Sequence, residues 1–165
     1  MFTASSLSGS TAEQYAQLVA QARALLAGER DRTANAANLA ALLYHSLPDL
    51  NWAGFYFFDG TELVVGPFQG LPACVRIPLD RGVCGAAARS GQTQRVDDVH
   101  AVPDHIACDA ASRSECVVPL FRSGERGSAT LVGVLDLDSP LPGRFGVEDQ
   151  QGLEHIAQVF VESLG

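Results

Sequence analysis

The chain has 165 residues, 47% of them hydrophobic, and a formal net charge of −8 from 19 acidic and 11 basic residues. That length suits a single domain able to bury an ordinary core without disulfide staples, and the acidic balance argues against nucleic-acid and anionic-membrane partners. No apolar run approaches the roughly 20 residues needed to cross a bilayer and no signal-like start points to an oxidising compartment, so a cytoplasmic protein with reduced thiols is expected.

Residues 1–10 fall in a Ser/Gly/Thr-rich start that reads as a flexible tail, leaving 11–165 as one domain. Ser10 and Thr11, with Glu13 and Gln14 three residues on from each, form overlapping capping boxes for a helix running through Leu18, Ala22 and Leu25 to Gly28. A second helix is expected from a Thr33 cap to Pro48, with Leu39, Leu42, Leu43 and Leu47 as its apolar stripe. From Asn51 the period changes to two. Trp52, Gly54, Tyr56 and Phe58 fall on one strand face and Ala53, Phe55 and Phe57 on the other, up to the Asp59-Gly60 turn. A return strand is expected over Glu62–Phe68 and a third over Ala73–Pro78. Gly82-Val83-Cys84-Gly85 reads as a tight turn opening a short helix to Ser90, and Thr93–Val96 as a short strand. Asp97–Arg113 is polar and aperiodic, too long for a plain connection, and long ordered loops often carry function. Two strands, Glu115–Phe121 and Ser128–Ser139, follow around a Ser123-Gly124 turn, and a helix capped by Gly146 closes the chain over Val147–Leu164. The order predicts an α+β fold: an antiparallel sheet, helices packed outside it, and the last helix near the first two.

Cys74, Cys84 and Cys108 occupy three dissimilar contexts without a second cysteine at metal-ligand spacing. Disulfide scaffolding and zinc binding, the latter through His100, His105 and Cys108, compete with thiol chemistry, which the reducing context favours. Cys108 is the best reactive thiol, in the polar loop three residues after His105, whose imidazole favours a thiolate; a solvated His105 without a role is the plainer reading. Cys74 and Cys84 read by themselves as small, inert residues, and Cys116, on a strand face with Val118 and Leu120, as core. Asp136 and Asp138 share a strand face roughly 6–7 Å apart. They are either a solvated pair before the Ser139-Pro140 turn or the walls of a cation site, with Glu115 on the neighbouring strand able to join them. Trp52 and Tyr56, with only Gly54 between, would leave a gap walled by two aromatics.

Six segments in this order resemble the free methionine-(R)-sulfoxide reductases, a family built from one GAF domain: Asn51-Trp52-Ala53-Gly54-Phe55-Tyr56, Gly66-Pro67-Phe68-Gln69-Gly70, Ala73-Cys74-Val75-Arg76-Ile77, Arg81-Gly82-Val83-Cys84-Gly85, His105 to Ser112 with Ser114-Glu115, and Val134 to Ser139. The resemblance spans about Tyr15 to Leu164. It implies a GAF-like central antiparallel sheet with the N- and C-terminal helices on one side and a ligand pocket on the other. It also implies that Cys108 attacks the sulfoxide sulfur of free methionine-(R)-sulfoxide, that Cys74 resolves the resulting sulfenic acid as a disulfide, and that Cys84 is a third cysteine able to pair with Cys108. Glu115, Asp136 and Asp138 would bind the substrate ammonium and polarise the sulfoxide oxygen, and Trp52 and Tyr56 would shelter the methyl and methylene groups. No bound cofactor or metal is implied, since thioredoxin would be the reductant, and a homodimer through the apolar first helices would be in keeping with the family. The sequence departs from the pattern at Cys116, where an aliphatic residue is more usual, and in a long Arg122–Thr130 turn. A non-enzymatic GAF sensor of a metabolite or of oxidation is the alternative, and a dead reductase retained for binding a weaker third.

Overall fold

The computed structural model describes residues 1–103, 105, 108–122 and 125–165; the expected Ser123-Gly124 turn and the Ile106-Ala107 part of the cysteine loop lie outside them. Helix α1 (Thr11–Leu26) starts as its sequence dictates: Glu13 N–H donates to Ser10 Oγ at 3.2 Å and Ser10 N–H to Glu13 Oε2 at 2.7 Å. Helix α2 (Arg32–Ser46) starts two residues earlier than Thr33 suggested. Asp31 is its cap, accepting from Ala34 N–H at 2.8 Å, because an extended Asp31 carries a carboxylate that reaches the first free amides while Thr33 already lies in the first turn. The tail is laid back along α1. Ser5 and Ser8 each exchange two backbone bonds with a side-chain amide, Gln21 and Gln17 respectively, at 2.8–3.1 Å.

Six strands form one antiparallel sheet in the order β3-β2-β1-β6-β5-β4. They are β1 (Trp52–Phe58), β2 (Leu63–Gly70), β3 (Arg76–Ile77), β4 (Gln94–Val96), β5 (Ser114–Phe121) and β6 (Leu131–Ser139). The third strand is much shorter than Ala73–Pro78. Pro72 and Pro78 flank it without an N–H to offer a ladder, so only Arg76 and Ile77 pair, with Val64 and Leu63. Cys74 therefore sits in irregular chain before β3 rather than in a strand. Helix α3 (Gly82–Ser90) follows, and Cys84 lies inside its first turn rather than in a separate tight turn; Gly82, at φ 67°, makes the entry that a side chain would strain. A short 3₁₀ turn spans Val99–Ala101, and α4 (Val147–Ser163) opens at Gly146, whose N–H donates to Asp149 Oδ2 at 2.8 Å.

Alternation along β1 divides the interior in two. Ala53, Phe55 and Phe57 join Cys116, Val118, Leu120, Leu135 and Leu137 beneath the leucines of α2 and the apolar faces of α1 and α4. Trp52 and Tyr56 face the other way, with Val117, Val134 and the Val83, Cys84 and Ala87 side of α3. The terminal helices thus cover one face, and α3 only part of the other. Close approach of α1 to α4 depends on Gly152, where a Cβ would fall 2.1 Å from the Tyr15 ring, and is fastened by Tyr15 Oη donating to Asp149 Oδ1 at 2.9 Å. Among the described residues no helix is long and apolar enough to cross a membrane.

Candidate active site

The half-covered sheet face bears a pocket with a cavity of about 30 Å³ between β1, β5, β6, α3 and the segment leading to β5. Strand register assembles its floor. Asp138 on β6 is the cross-strand partner of both Trp52 on β1 and Glu115 on β5, and Asp136, two residues back on the same face, is flanked by Gly54 and Val117. Glu115 and Asp136 are buried and Asp138 is partly so. Cys84 comes down from α3 onto these acids, its Sγ 3.4 Å from Asp136 Oδ2 and 3.8 Å from Glu115 Oε1.

At the cavity rim Cys108 is joined by a disulfide to Cys74, with Cα atoms 5.2 Å apart. The two are 34 residues apart in sequence. Cys84 and Cys116 are free and buried, Cys116 on the opposite sheet face within the helical core. His105 does not point to solvent: its Nε2 lies 3.7 Å from Glu115 Oε2, with the imidazole only 15% exposed, and burial lowers its pKa. It is therefore a neutral partner of the acid group rather than a cation beside Cys108.

Trp52 and Tyr56 depart from expectation in one respect. Their rings stack at 5.6 Å, and Trp52 also stacks on Phe68 at 5.1 Å, so they make one continuous aromatic wall and leave no slot between them. Gly54 is needed for the sheet, not for a gap. A Cβ there would lie 2.3 Å from Phe68 Cβ, where β2 crosses beside an irregularity in its pairing with β1.

Three carboxyl groups in so small a space cannot all carry charge. Burial pushes the pKa of Glu115, Asp136 and Asp138 well above the carboxylate range; the Asp138 charge adds to it for Glu115, the Glu115 charge for Asp136, and Asp136 and then Asp109 for Asp138. Burial and then Asp136 and Glu115 push up the Cys84 thiol as well, and Tyr56 is raised by burial and by Asp136. Without a ligand the floor thus favours the protonated acids, a balance that a bound cation would shift the other way.

Asn51, Asp109 and Ser112 have structural roles that were not assigned from the sequence. Asn51 Nδ2 donates to Asp109 Oδ2 at 3.0 Å and to Ser112 Oγ at 3.1 Å, tying the chain just after Cys108 to the start of β1. Arg113 N–H to Ser139 O and Val99 N–H to Arg113 O, both 2.8 Å, hold the same segment to the sheet. The available signal was Asp109 itself, an acid directly after the candidate nucleophile.

An acidic pocket on one face of a helix-backed antiparallel sheet, rimmed by a disulfide, is the frame of a small-molecule-binding domain. The chain belongs to the GAF domain family, whose profile matches residues 16–164. It is 53% identical over 144 residues to the free methionine-R-sulfoxide reductase of Escherichia coli K12, covering 87% of this chain and 84% of that one. The X-ray structure of free methionine-R-sulfoxide reductase from Neisseria meningitidis in complex with its substrate superposes with a TM-score of 0.92 at 42% identity, covering 99% of this chain and 96% of the other. A crystal structure from Burkholderia vietnamiensis described as a candidate GAF sensor superposes with a TM-score of 0.88 at 64% identity, over 93% and 95% of the two chains. The resemblance to the free methionine-(R)-sulfoxide reductases and the α+β GAF fold expected from the sequence are both borne out.

Proposed function

We propose that this protein reduces free L-methionine-(R)-sulfoxide to L-methionine, with Cys108 as nucleophile and Cys74 as the resolving thiol. The observation that carries this reading is the Cys74–Cys108 disulfide at the rim of a pocket whose floor is Glu115, Asp136 and Asp138. Relatives named for that activity, one of them solved with its substrate, supply the substrate.

The chemistry balances without a bound cofactor. Cys108 sulfur attacks the sulfoxide sulfur, the S–O bond of the substrate breaks, and the oxygen is transferred to Cys108 as the new S–S bond breaks, leaving a Cys108 sulfenic acid and free methionine. Cys74 sulfur then displaces water from the sulfenic acid and forms the observed disulfide. Thioredoxin, or another dithiol in a cytoplasmic setting, opens that disulfide by exchange and is itself oxidised. A sulfoxide is a poor electrophile until its oxygen gains positive character, and a protonated acid on the floor is suited to donate to it. The remaining acid groups hold the ammonium and lose protons as it binds. Trp52 and Tyr56 supply an apolar wall for the methyl and methylene groups.

The same floor explains a preference for the free amino acid. A peptide-bound residue brings no ammonium, so the acids gain no partner. The test is consumption of NADPH through thioredoxin reductase and thioredoxin with free R and S sulfoxides supplied separately. Turnover of the R form alone, abolished in Cys108→Ser, is expected. A non-catalytic sensor would consume no NADPH with either isomer, and that result would end the enzymatic reading.

A further inference from the structure

We infer that the pocket floor is also a zinc site, in which Cys84, Glu115 and Asp136 hold one zinc ion where the substrate ammonium would sit. One ligand atom from each of Cys84, Glu115 and Asp136 lies within 4.8 Å of the other two, and all three residues are buried. Tetrahedral zinc, with Zn–S about 2.3 Å and Zn–O about 2.0–2.2 Å, sets a sulfur-to-oxygen edge of about 3.5–3.7 Å. The two such edges present are 3.4 Å to Asp136 and 3.8 Å to Glu115. Those two edges therefore accommodate an ion with shifts of a few tenths of an ångström. The fourth position is left to a water, since His105 Nε2 lies 3.7 Å from the second Glu115 oxygen and outside this group of three.

Two unpartnered atoms point to an exogenous ligand. Asp136 Oδ1 belongs to a residue only 5% exposed and has no hydrogen-bond partner, and neither has the buried Trp52 Nε1 on the same pocket wall. The first calls for a proton or a cation; the second is a donor for a water or anion carried by that cation. An ammonium group would satisfy the acids but has no use for a thiol among them. One soft sulfur with two carboxylates is instead a donor set for zinc, where magnesium or calcium would be surrounded by oxygen. Binding forms one Zn–S bond and bonds to oxygen, expels the thiol and carboxyl protons to solvent, and transfers no electrons.

The binding claim stands on the geometry of the floor; only the claim that zinc and substrate exclude each other rests on the proposed function. Zinc chloride is titrated against a chromophoric chelator using the protein with its Cys74–Cys108 disulfide intact, so that neither of those sulfurs competes. One zinc per chain is expected, with affinity reduced more than roughly tenfold in Cys84→Ala and in Asp136→Asn and unchanged in Cys116→Ala. Cobalt in place of zinc should show a thiolate-to-metal absorption band that Cys84→Ala lacks. Wild-type protein that takes up no more zinc than Cys84→Ala, or cobalt without a thiolate band, overturns the site. Zinc held through Cys84 yet indifferent to free methionine-(R)-sulfoxide upholds the metal site and counts against the substrate reading instead.

Discussion

Replacing Asp136 by asparagine separates binding chemistry from stability. Asp136 sits mid-sheet between Gly54 and Val117, 5% exposed, with Cys84 Sγ 3.4 Å away. Asparagine keeps its size and shape and can still donate to a neighbour, but it cannot become an anion. In the free protein burial and the Glu115 charge already favour the protonated acid, so the exchange is neutral for neutral. Stability should change by less than about 1 kcal/mol, a Tm shift of no more than roughly 2–4 °C. An ionised Asp136 in the free pocket would behave otherwise: its pKa is moved by burial, Glu115 and Cys84, none of them a cation, so removing the charge would relieve burial and repulsion and raise the Tm. In the complex the loss is one charge-assisted hydrogen bond to ammonium, about 1.5–3 kcal/mol, which lowers kcat/KM by about 10- to 150-fold. The assay is the thioredoxin-coupled oxidation of NADPH with free methionine-(R)-sulfoxide, alongside thermal unfolding of the substrate-free protein. A kcat/KM within twofold of wild type would remove Asp136 from substrate binding. A large rise in Tm would show that the free pocket carries the charge.

Cys74→Ser should leave one methionine formed per chain and then stop, because the Cys108 sulfenic acid has lost its partner; full turnover in this variant would assign resolution to another thiol, and mass spectrometry of the stalled protein would identify it. Gly152→Ala places a methyl 2.1 Å from the Tyr15 ring, and overpacking of this kind costs about 1–3 kcal/mol, or roughly 2–12 °C in Tm for a chain of this size. Because Gly152 lies on the face away from the cavity, kcat/KM at a temperature where the variant is folded should match wild type; a parallel loss of activity would tie the helical layer to the site. The raised pKa values of Glu115, Asp136 and Asp138 also make stability depend on pH. The folded state keeps protons that the unfolded chain gives up near its ordinary pKa of about 4. Their stabilising contribution is complete below that pH and is lost as pH rises through the folded values. The exposed acids Glu29, Asp59 and Glu162, whose pKa values are lowered, pull the other way, so the measurement is the difference between wild type and Asp136→Asn in metal-free buffer. Wild-type Tm should fall more steeply with rising pH; identical slopes would refute the protonated floor.

The element order was legible because its signals are local. The Ser10–Glu13 capping box, the leucine stripe of α2 and the alternation of Trp52 to Phe58 each lie within one stretch of chain, and each forms as read. Where local signals competed, the reading failed: Asp31 outranked Thr33 as a cap, and two prolines shortened the strand that would have contained Cys74. The resemblance, resting on the order of whole segments, led to the family and to the Cys74–Cys108 pairing seen as a disulfide.

What the sequence determined by itself was which face of each strand a residue occupies, since a two-residue period needs no knowledge of neighbours. Only the tertiary structure decided what those faces meet. Register between β5 and β6 sets Glu115 across from Asp138, α3 lowers Cys84 onto Asp136, and Asn51 reaches over 58 residues to Asp109. Burial follows from that packing, and burial more than any one neighbour moves the acid and thiol protons. A sequence specifies such energies only through the fold, because desolvation depends on every surface that closes around a group, and most of those surfaces come from distant parts of the chain.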